Sequence, residues 1–326
     1  MSAVSPPQFD SDEAYADRLS DVAFWEPLVA EALRRAGRPA ATIRATPQRG
    51  TYPTFSVGGQ LVVKLFGERY CGPESYRAES AAYAELSPTR LPIPAVVYEG
   101  EILASNEGWP WPFLVLTRIE GIPYALAAPA FSNLQRHRAA QDAGKFLGQL
   151  HAVPVREPQR WDDFGAFLAG RRAAAQSDHA RWASLPEGLV AEMDAWLPTT
   201  EELFDPRTAP PVLLHGDLHK DHLFVDAAIG AIKGVIDFSD AQLGDRRYDL
   251  VALHAGTFHF DRRLLRACLL GYGWAPSRSF AKEMLAFTLL HDFNMFDELG
   301  ALAPRVAAVR TLDELADLLW SLGDDA

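Results

Sequence analysis

The sequence predicts an α+β protein with two lobes, a small β-rich lobe followed by a larger, mostly helical one. The first supporting observation is a series of short β-like segments between residues 41 and 66, separated by glycine-containing turns. The second is a series of alanine- and arginine-rich segments after residue 125, in which apolar residues recur at helical spacing. The third is a pair of strand-like runs within residues 212–237, which interrupt these helices and enclose an acidic, histidine-rich loop.

The first lobe is predicted to span residues 1–116. Its opening helix has apolar residues at helical spacing and ends before Gly37, a typical C-terminal cap. Gly58 and Gly59 predict a tight hairpin between two strands, and Pro73 predicts the start of a second helix. The predicted helices of this lobe are 24–36 and 73–86, and its predicted strands are 41–45, 52–57, 61–66, 96–98 and 113–116.

Residues 117–123 are predicted to form a hinge, and residues 124–326 the second lobe. The helices of the second lobe are predicted from the recurrence of apolar residues every three to four positions. They cover 134–151, 164–175, 189–197, 262–272 and 280–298.

Length and composition are those of a globular protein that can bury a substantial core, with 326 residues, 48% hydrophobic and 23% charged. No apolar stretch approaches the roughly 20 residues that a membrane helix needs. Residues 1–19 are acidic and polar, unlike a signal peptide. We therefore expect a cytoplasmic location with no membrane partner, and two reduced thiols at Cys71 and Cys268.

The formal net charge of -12 indicates the kind of partner to expect. It argues against nucleic acid, whose affinity depends on phosphate neutralisation by lysine and arginine. A cationic partner is attracted more readily. Lysine is scarce in this chain, which makes Lys64, within an apolar strand, conspicuous.

Lys64 has two interpretations. A lysine in a strand is often a solvent-facing residue, but here Glu79 follows in the next predicted helix. A strand lysine held by a helix glutamate is the pair that binds nucleotide phosphates in kinases. Glu74 is the alternative partner if the helix register differs.

The loop at 215–222 and the strand end after it carry the other candidate residues. Asp217 is placed to act as a base, and His222 and Asp237 to bind Mg²⁺. The spacing is that of phosphoryl-transfer enzymes, except that His222 stands where asparagine is expected. Alone, His215-Gly216-Asp217 is better explained as a turn with a capping aspartate, and it is the combination with Asp237-Phe238 at the next strand end that favours catalysis.

Several neighbouring residues are assigned less specifically. His219, or alternatively Lys220, could neutralise the transferred phosphate, and Thr51 could contact phosphates or lie in an ordinary turn. Asp245 is predicted to cap a helix and Asp249 to brace the 215–222 loop.

A different chemistry remains open at the same loop. Asp217-x-His219-x-Asp221-His222 is dense in metal ligands and is similar to the cluster of dinuclear metallohydrolases. That interpretation does not account for Lys64 or Glu79.

Two motifs carry a family resemblance. His215-Gly216-Asp217-Leu218-His219 and Ile236-Asp237-Phe238 resemble the aminoglycoside phosphotransferase and choline kinase superfamily, which has a two-lobed, protein-kinase-like fold. Within this superfamily, further segments are most similar to hygromycin B 7''-O-phosphotransferase enzymes. These segments are 24–28, 64–68, 71–75, 109–112, 287–288 and 290–293.

The resemblance implies an antibiotic kinase that transfers the γ-phosphate of ATP or GTP directly to a hydroxyl group, with Mg²⁺. It implies that Asp217 is the base and that His222 and Asp237 bind the metal. The implied nucleotide-binding residues are Lys64, Glu79, Thr51, and Thr117 and Ile119 at the hinge. A histidine at the position of His222 is similar to the motif of macrolide phosphotransferases. A macrolide or another small molecule is therefore an alternative acceptor.

The acceptor is expected to bind to the helical half. For a polycationic aminoglycoside, most specifically hygromycin B, the acidic candidates are Asp240, Asp292, Asp297 and Glu298. For a macrolide, the aromatic candidates are Trp274, Phe287, Phe293 and Phe296. A non-catalytic nucleotide-binding relative is a further alternative, although the presence of Lys64, Asp217 and Asp237 together argues against it.

Overall fold

A computed structural model of the protein describes residues 7–46, 50–103 and 108–323. The chain forms two compact units. The first comprises Met1–Glu120 and Gly234–Asp240, and the second comprises Gly121–Lys233 and Ala241–Ala326. The short segment Gly234–Asp240, which carries Asp237, therefore belongs to the first unit although it lies more than 100 residues away in sequence.

The first unit contains a five-stranded antiparallel sheet in the order β1-β2-β3-β5-β4. Its strands are β1 (Ile43–Ala45), β2 (Thr54–Val57), β3 (Leu61–Leu65), β4 (Val96–Glu101) and β5 (Pro112–Thr117). Its helices are α1 (Asp12–Ala16), α2 (Val22–Arg35) and α3 (Gly72–Leu86). The central position of β3 gives Lys64 paired neighbours on both sides, Thr54 in β2 and Leu114 in β5.

Helix α2 closes one face of this sheet. Asp21 begins the helix by accepting a hydrogen bond from the Phe24 amide at 3.1 Å. The apolar face of α2, with Trp25 and Val29 fully buried, packs into a core that includes Phe55 of β2. The apolar face of the helix and the inward-facing residues of the strands therefore pack into one apolar layer.

The second unit is mostly helical and carries two small sheets. Its helices are α4 (Tyr124–Ala127), α5 (Asn133–Leu150), α6 (Phe164–Trp182), α7 (Glu187–Trp196), α8 (Thr200–Leu203), α9 (Arg247–Gly256), α10 (Arg262–Tyr272), α11 (Phe280–Leu289), α12 (Ala303–Ala308) and α13 (Leu312–Trp320). Strands β7 (Val212–Leu214) and β10 (Gln242–Gly244) form one sheet, and β6 (Ile122–Pro123), β8 (Leu223–Val225) and β9 (Ile232–Val235) form the other. The last two residues of β9 fall within the segment assigned to the first unit.

The predicted helix 280–298 is wrong in its second half. Helix α11 ends at Leu289, and a short 3₁₀ helix follows at Met295–Glu298. Between them His291 is fully buried and stacks on Tyr248 with ring centroids 4.4 Å apart. The Tyr248 hydroxyl also accepts a hydrogen bond from the amide of Asp292 at 3.1 Å. These tertiary contacts stabilise a non-helical backbone that local periodicity did not predict.

Asp245 differs slightly from its predicted role as the helix cap. The N-cap of α9 is Arg246, which makes no side-chain capping bond. The Asp245 carboxylate accepts hydrogen bonds from the amide and the guanidinium of Arg247 instead. It therefore fixes the turn that leads into α9.

Helices α5 and α10 approach each other closely because glycine lies at their contact. A Cβ atom built on Gly144 would lie 1.9 Å from the carbonyl oxygen of Cys268. One built on Gly271 would lie 2.0 Å from the carbonyl oxygen of Gln141. In both cases the obstacle is backbone, which no rotamer change can move.

Within the three described stretches, no helix is both long enough and apolar enough to cross a membrane.

The contact between α5 and α10 leads to a stability prediction. Gly144→Ala should lower the free energy of unfolding by about 1–3 kcal/mol or more, because the added methyl overlaps the Cys268 carbonyl. Gly170→Ala in α6 is the matched control, since no atom from outside that helix lies within 4 Å of the place its added methyl would take. The control should raise stability by about 0.5–1 kcal/mol. Urea denaturation measures both, and equal effects would contradict the packing described.

Candidate active site

Lys64 lies in a buried ionic network of the first unit. Its ammonium donates hydrogen bonds to Glu79 Oε2 at 2.6 Å, to Asp237 Oδ1 at 2.7 Å and to Ser239 Oγ at 3.0 Å. Only 5% of Lys64 is exposed. The predicted pair of Lys64 and Glu79 is present, whereas the alternative partner Glu74 lies exposed in the first turn of α3.

Burial and the neighbouring charges shift the pKa values of this network in opposite directions. Burial disfavours the ammonium of Lys64, but Asp237 and Glu79 outweigh burial and raise its pKa. Burial also raises the pKa of Glu79, and Lys64 opposes that shift. The network therefore holds one firmly charged lysine between two carboxyl groups, a strong interaction in a low-dielectric interior.

Asp237 lies at a sharp turn of the backbone. Its φ of 68° is in the left-handed region, which aspartate tolerates better than most residues. The Ser239 hydroxyl donates a hydrogen bond to its carboxylate. The next residue, Phe238, is fully buried and contacts the Tyr83 ring at 5.6 Å between centroids. This anchor directs the Asp237 carboxylate to Lys64.

The 215–222 loop connects β7 and β8 of the second unit and is held by Asp249. This fully buried carboxylate accepts hydrogen bonds from the amide of His215 at 2.9 Å and from that of Gly216 at 2.8 Å. Nε2 of His151 lies 2.9 Å from the same carboxylate. Gly216 has a φ of 86°, which other residues adopt at a cost. The predicted bracing role of Asp249 is thus present.

Asp217, His219 and His222 come together in this loop. Nε2 of His219 lies 3.3 Å from Oδ2 of Asp217, and the rings of His219 and His222 have centroids 3.9 Å apart. Nδ1 of His222 lies 2.7 Å from the backbone carbonyl oxygen of Asp217. Because a carbonyl only accepts, this nitrogen carries the proton.

Asp217 is ionised at neutral pH. Burial raises its pKa, but the hydrogen bond from His219 and the positive potential of His222, His219 and His215 outweigh burial and lower the pKa to about 2. The carboxylate can therefore orient a hydroxyl donor and accept a hydrogen bond from it across the physiological pH range.

The remaining predicted nucleotide residues belong to the first unit. Thr117, at the end of β5, exchanges hydrogen bonds with Ala95: its hydroxyl accepts from the Ala95 amide at 2.8 Å, and its own amide donates to the Ala95 carbonyl at 2.9 Å. The side chain of Ile119 occupies the space next to Gly234, where a Cβ would lie 2.6 Å away. Thr51 is exposed in a bend.

The predicted substrate-binding acids differ in their surroundings. Glu298 forms an ion pair with Lys220 at 2.7 Å, and its Oε2 also lies 3.2 Å from Nδ1 of His259. Asp297 accepts a hydrogen bond from the hydroxyl of Ser184 at 2.8 Å. Asp292 is 55% exposed and lies 3.5 Å from Arg171, and Asp240 is exposed in the first unit. Lys220, the alternative to His219 for phosphate binding, is thus engaged by Glu298.

The aromatic candidates for a macrolide pocket separate into two groups. Phe287 and Phe296 are core residues, with 0% and 2% exposure. Phe293 is 41% exposed, and Trp274 stacks under the guanidinium of Arg246 at 4.4 Å.

The sequence alone does not indicate the roles of two residues in the candidate site, His151 and Ser239. His151 ends α5 and bridges Asp249 to the hydroxyl of Tyr272, which lies 2.9 Å from its Nδ1. Ser239 contacts both Lys64 and Asp237. Their roles follow from contacts between residues that are distant in sequence.

Similarity to known proteins agrees with this geometry. The family model of the phosphotransferase enzyme family matches residues 46–283. An aminoglycoside 3'-phosphotransferase of Streptomyces fradiae is 27% identical over 183 residues, covering 52% of this chain and 60% of the relative. The lysine-specific demethylase JMJ21 of Arabidopsis thaliana is 20% identical over 271 residues, covering 65% of this chain and 29% of the relative. The chain thus spans less than two thirds of either relative's length.

Among solved structures, the GDP and kanamycin complex of APH(2")-IIia superposes with a TM-score of 0.64 at 17% identity. The match covers 86% of this chain and 98% of the other. The predicted kinase-like α+β fold is confirmed. Because the family match extends over most of the sequence, the chain belongs to the phosphotransferase enzyme family, and its predicted class as an enzyme that phosphorylates hydroxyl groups agrees with that membership.

The bracing role of Asp249 yields a second prediction. Asp249→Ala should lower the free energy of unfolding by about 3–5 kcal/mol, because it leaves the buried amides of His215 and Gly216 without their acceptor. Asp194→Ala, an exposed aspartate of the same unit, should change stability by no more than about 0.5 kcal/mol. Chemical denaturation followed by circular dichroism compares the two, and similar values would remove Asp249 from this role.

Proposed function

We propose that the protein is an antibiotic O-phosphotransferase that transfers the γ-phosphate of ATP or GTP to a hydroxyl group of an aminoglycoside. The observation that carries the proposal is the buried network of Lys64, Glu79 and Asp237. A buried lysine between two carboxylates is costly to maintain for stability alone. In phosphotransferases, a lysine held by a glutamate binds the nucleotide phosphates, and a nearby aspartate binds their metal ion.

Lys64 supplies the positive charge for the nucleotide phosphates. Its raised pKa keeps it charged, and Glu79 holds its ammonium from the opposite side at 2.6 Å. A phosphate group that replaces Asp237 as one of its partners would leave the lysine's charge balanced. Thr51, Thr117 and Ile119 are proposed to complete the nucleotide site of the first unit.

Asp217 is proposed to accept a hydrogen bond, and finally the proton, from the acceptor hydroxyl. Its pKa of about 2 makes it a weak base, which suits a loose transition state that needs an oriented hydroxyl more than a deprotonated one. His219, 3.3 Å from Asp217, is proposed to face the transferred phosphate and to stabilise its charge. Transfer is direct, without a phosphorylated enzyme.

His222 and Asp237 are proposed to hold Mg²⁺. The donors fit a divalent cation: Asp237 offers a carboxylate, and His222 has its Nδ1 proton committed to the Asp217 carbonyl, which leaves the lone pair on Nε2. When bound, the ion neutralises charge on the nucleotide phosphates.

An aminoglycoside fits the charge of the chain better than a macrolide does. The net charge of -12 favours a polycation, and the exposed Asp240 and Asp292 are the acids that we propose to bind its amines. Asp297 and Glu298 would have to exchange their present partners to take part. Two of the four aromatic residues considered for a macrolide pocket are core residues. The aminoglycoside 3'-phosphotransferase of Streptomyces fradiae and the kanamycin complex of APH(2")-IIia support the same class.

Hygromycin B is the specific acceptor that we propose. The support is the set of segments outside the catalytic loop that resemble hygromycin B phosphotransferases, among them Lys64–Glu68 and Leu290–Phe293. Catalysis alone does not require these segments.

The metallohydrolase alternative is less well supported. Across residues 7–46, 50–103 and 108–323, Asp217, His219 and His222 are the one group of three or more metal-ligating side chains close enough to share an ion. A dinuclear centre needs ligands for two ions. A non-catalytic relative would have no chemical reason to retain Lys64, Asp217 and Asp237 together.

An acceptor panel tests the proposal. Hygromycin B, kanamycin, streptomycin and a macrolide are each incubated with the protein, Mg²⁺ and either ATP or GTP, and product phosphorylation is followed by mass spectrometry. We expect phosphorylation of hygromycin B with at least one nucleotide. Phosphorylation of the macrolide alone would overturn the aminoglycoside assignment.

Asp217→Asn tests the base. Removal of the carboxylate should lower kcat by about 10²–10⁴-fold, the usual contribution of a positioned acid or base. Nucleotide affinity should stay close to that of the parent protein because Lys64 lies in the other unit. Steady-state kinetics and calorimetric titration with nucleotide measure the two quantities. A loss of less than threefold in kcat would exclude Asp217 as the base.

His222→Asn tests the metal assignment. An amide oxygen suits Mg²⁺ better than an imidazole does, so the substitution should lower the ratio of Mn²⁺-supported to Mg²⁺-supported kcat/KM. His137→Asn, an exposed histidine of α5, is the control and should leave that ratio at its parent value. An unchanged ratio in His222→Asn would show that His222 does not bind the metal.

A further inference from the structure

We propose that Asp217, His219 and His222 form a binding site for one borderline transition-metal ion, of which Zn²⁺ is the best example. All three side chains belong to the second unit and lie within one eight-residue loop. The site shares His222 with the proposed magnesium pair, but its other ligands are Asp217 and His219 in place of Asp237.

The spacing of the donors suits such an ion. One ligand atom of each residue lies within 4.8 Å of the other two. Tetrahedral zinc, with bonds of about 2.0–2.1 Å, places neighbouring donors roughly 3.3 Å apart. The observed 3.3 Å between Nε2 of His219 and Oδ2 of Asp217 already equals that separation.

The hydrogen bonds around His222 prepare it for a metal. Its Nδ1 donates to the backbone carbonyl of Asp217 at 2.7 Å, which places the lone pair on Nε2. Histidines that bind metals characteristically donate their second ring nitrogen to a carbonyl or a carboxylate. The loop that supplies Asp217 as a ligand thus also orients His222.

His219 is held through both ring nitrogens. Its Nδ1 accepts a hydrogen bond from the amide of Asp221 at 3.2 Å, so the ring proton lies on Nε2, next to Oδ2 of Asp217. An ion bound at Nε2 displaces this proton, and a proton on Nδ1 then faces Oδ2 of Asp221, 3.5 Å away. Gly256 of α9 makes room for this side chain, since a Cβ there would lie 2.8 Å from Cβ of His219. The position of His219 is therefore built into the packing of the second unit.

The donor set selects against Mg²⁺. Two imidazoles and one carboxylate match Zn²⁺, Co²⁺ and Ni²⁺, whereas Mg²⁺ prefers oxygen ligands in an octahedron. Three protein ligands leave a fourth position for water. A bound ion also withdraws the Asp217 carboxylate from an acceptor hydroxyl. This consequence, inhibition of transfer by zinc, rests on the function proposed above.

Metal binding is measured on the whole chain, without nucleotide or antibiotic. After treatment with a chelator, the protein is titrated with Zn²⁺ in competition with a chromogenic chelator, and with Co²⁺ while its visible absorption is recorded. We expect one ion per chain and the intense Co²⁺ bands of a four-coordinate site. His219→Gln and His222→Asn should each weaken Zn²⁺ binding by at least about tenfold.

His137→Ala, which removes an exposed histidine of α5, is the matched control and should bind Zn²⁺ as tightly as the parent chain. Circular dichroism verifies that each variant is folded, and Gly256→Ala provides a second variant that moves His219 without removing it. Zinc affinities that are equal in the parent chain, His219→Gln and His222→Asn would overturn the proposal. So would a stoichiometry far below one ion per chain.

The failure of this proposal and that of the proposed function give different results. If no acceptor is phosphorylated but zinc binds through His219 and His222, the kinase function fails and the metal site stands. If antibiotic is phosphorylated with Mg²⁺ while zinc neither binds nor inhibits, the metal site fails and the kinase function stands.

Discussion

The buried carboxylate of Asp249 is the constraint on which the geometry of the second unit depends. It is fully enclosed, and its charge is stabilised by two loop amides and by His151, the residue that ends α5. Burial raises its pKa, but the hydrogen bond and charge of His151 and the potential and amide of His215 outweigh burial and lower it. Because a buried carboxylate that loses its partners is strongly destabilising, these contacts hold the loop that carries Asp217 in its observed position.

The first unit contains a buried cation held by carboxyl groups, whereas the second contains a carboxylate surrounded by histidines. In the first, one charged lysine is held between two carboxyl groups, Glu79 and Asp237. In the second, Asp217 is surrounded by three histidines, and its carboxylate is stabilised in the ionised form. Phosphoryl transfer needs both: a cation that binds phosphates and an anion that orients the acceptor. Two of these histidines, His219 and His222, also provide the nitrogen donors of the proposed zinc site.

Local sequence was sufficient for most of the fold, because hairpin glycines, strand alternation and helical spacing are local signals. The pair of Lys64 and Glu79 could also be predicted, since β3 and α3 follow each other directly. The end of α11 at Leu289 could not, because it depends on the stacking of His291 on Tyr248. Ser239 and His151 were missed for the same reason: their roles depend on partners far away in the chain.

The fate of a labelled γ-phosphate tests the central claim most directly. The protein is incubated with γ-labelled ATP or GTP, Mg²⁺ and hygromycin B, and the label is located by chromatography and mass spectrometry. Direct transfer guided by Asp217 and Lys64 predicts label on a hydroxyl of the antibiotic, none on the protein and little as inorganic phosphate. Label found on the protein, or only as inorganic phosphate, would contradict the account.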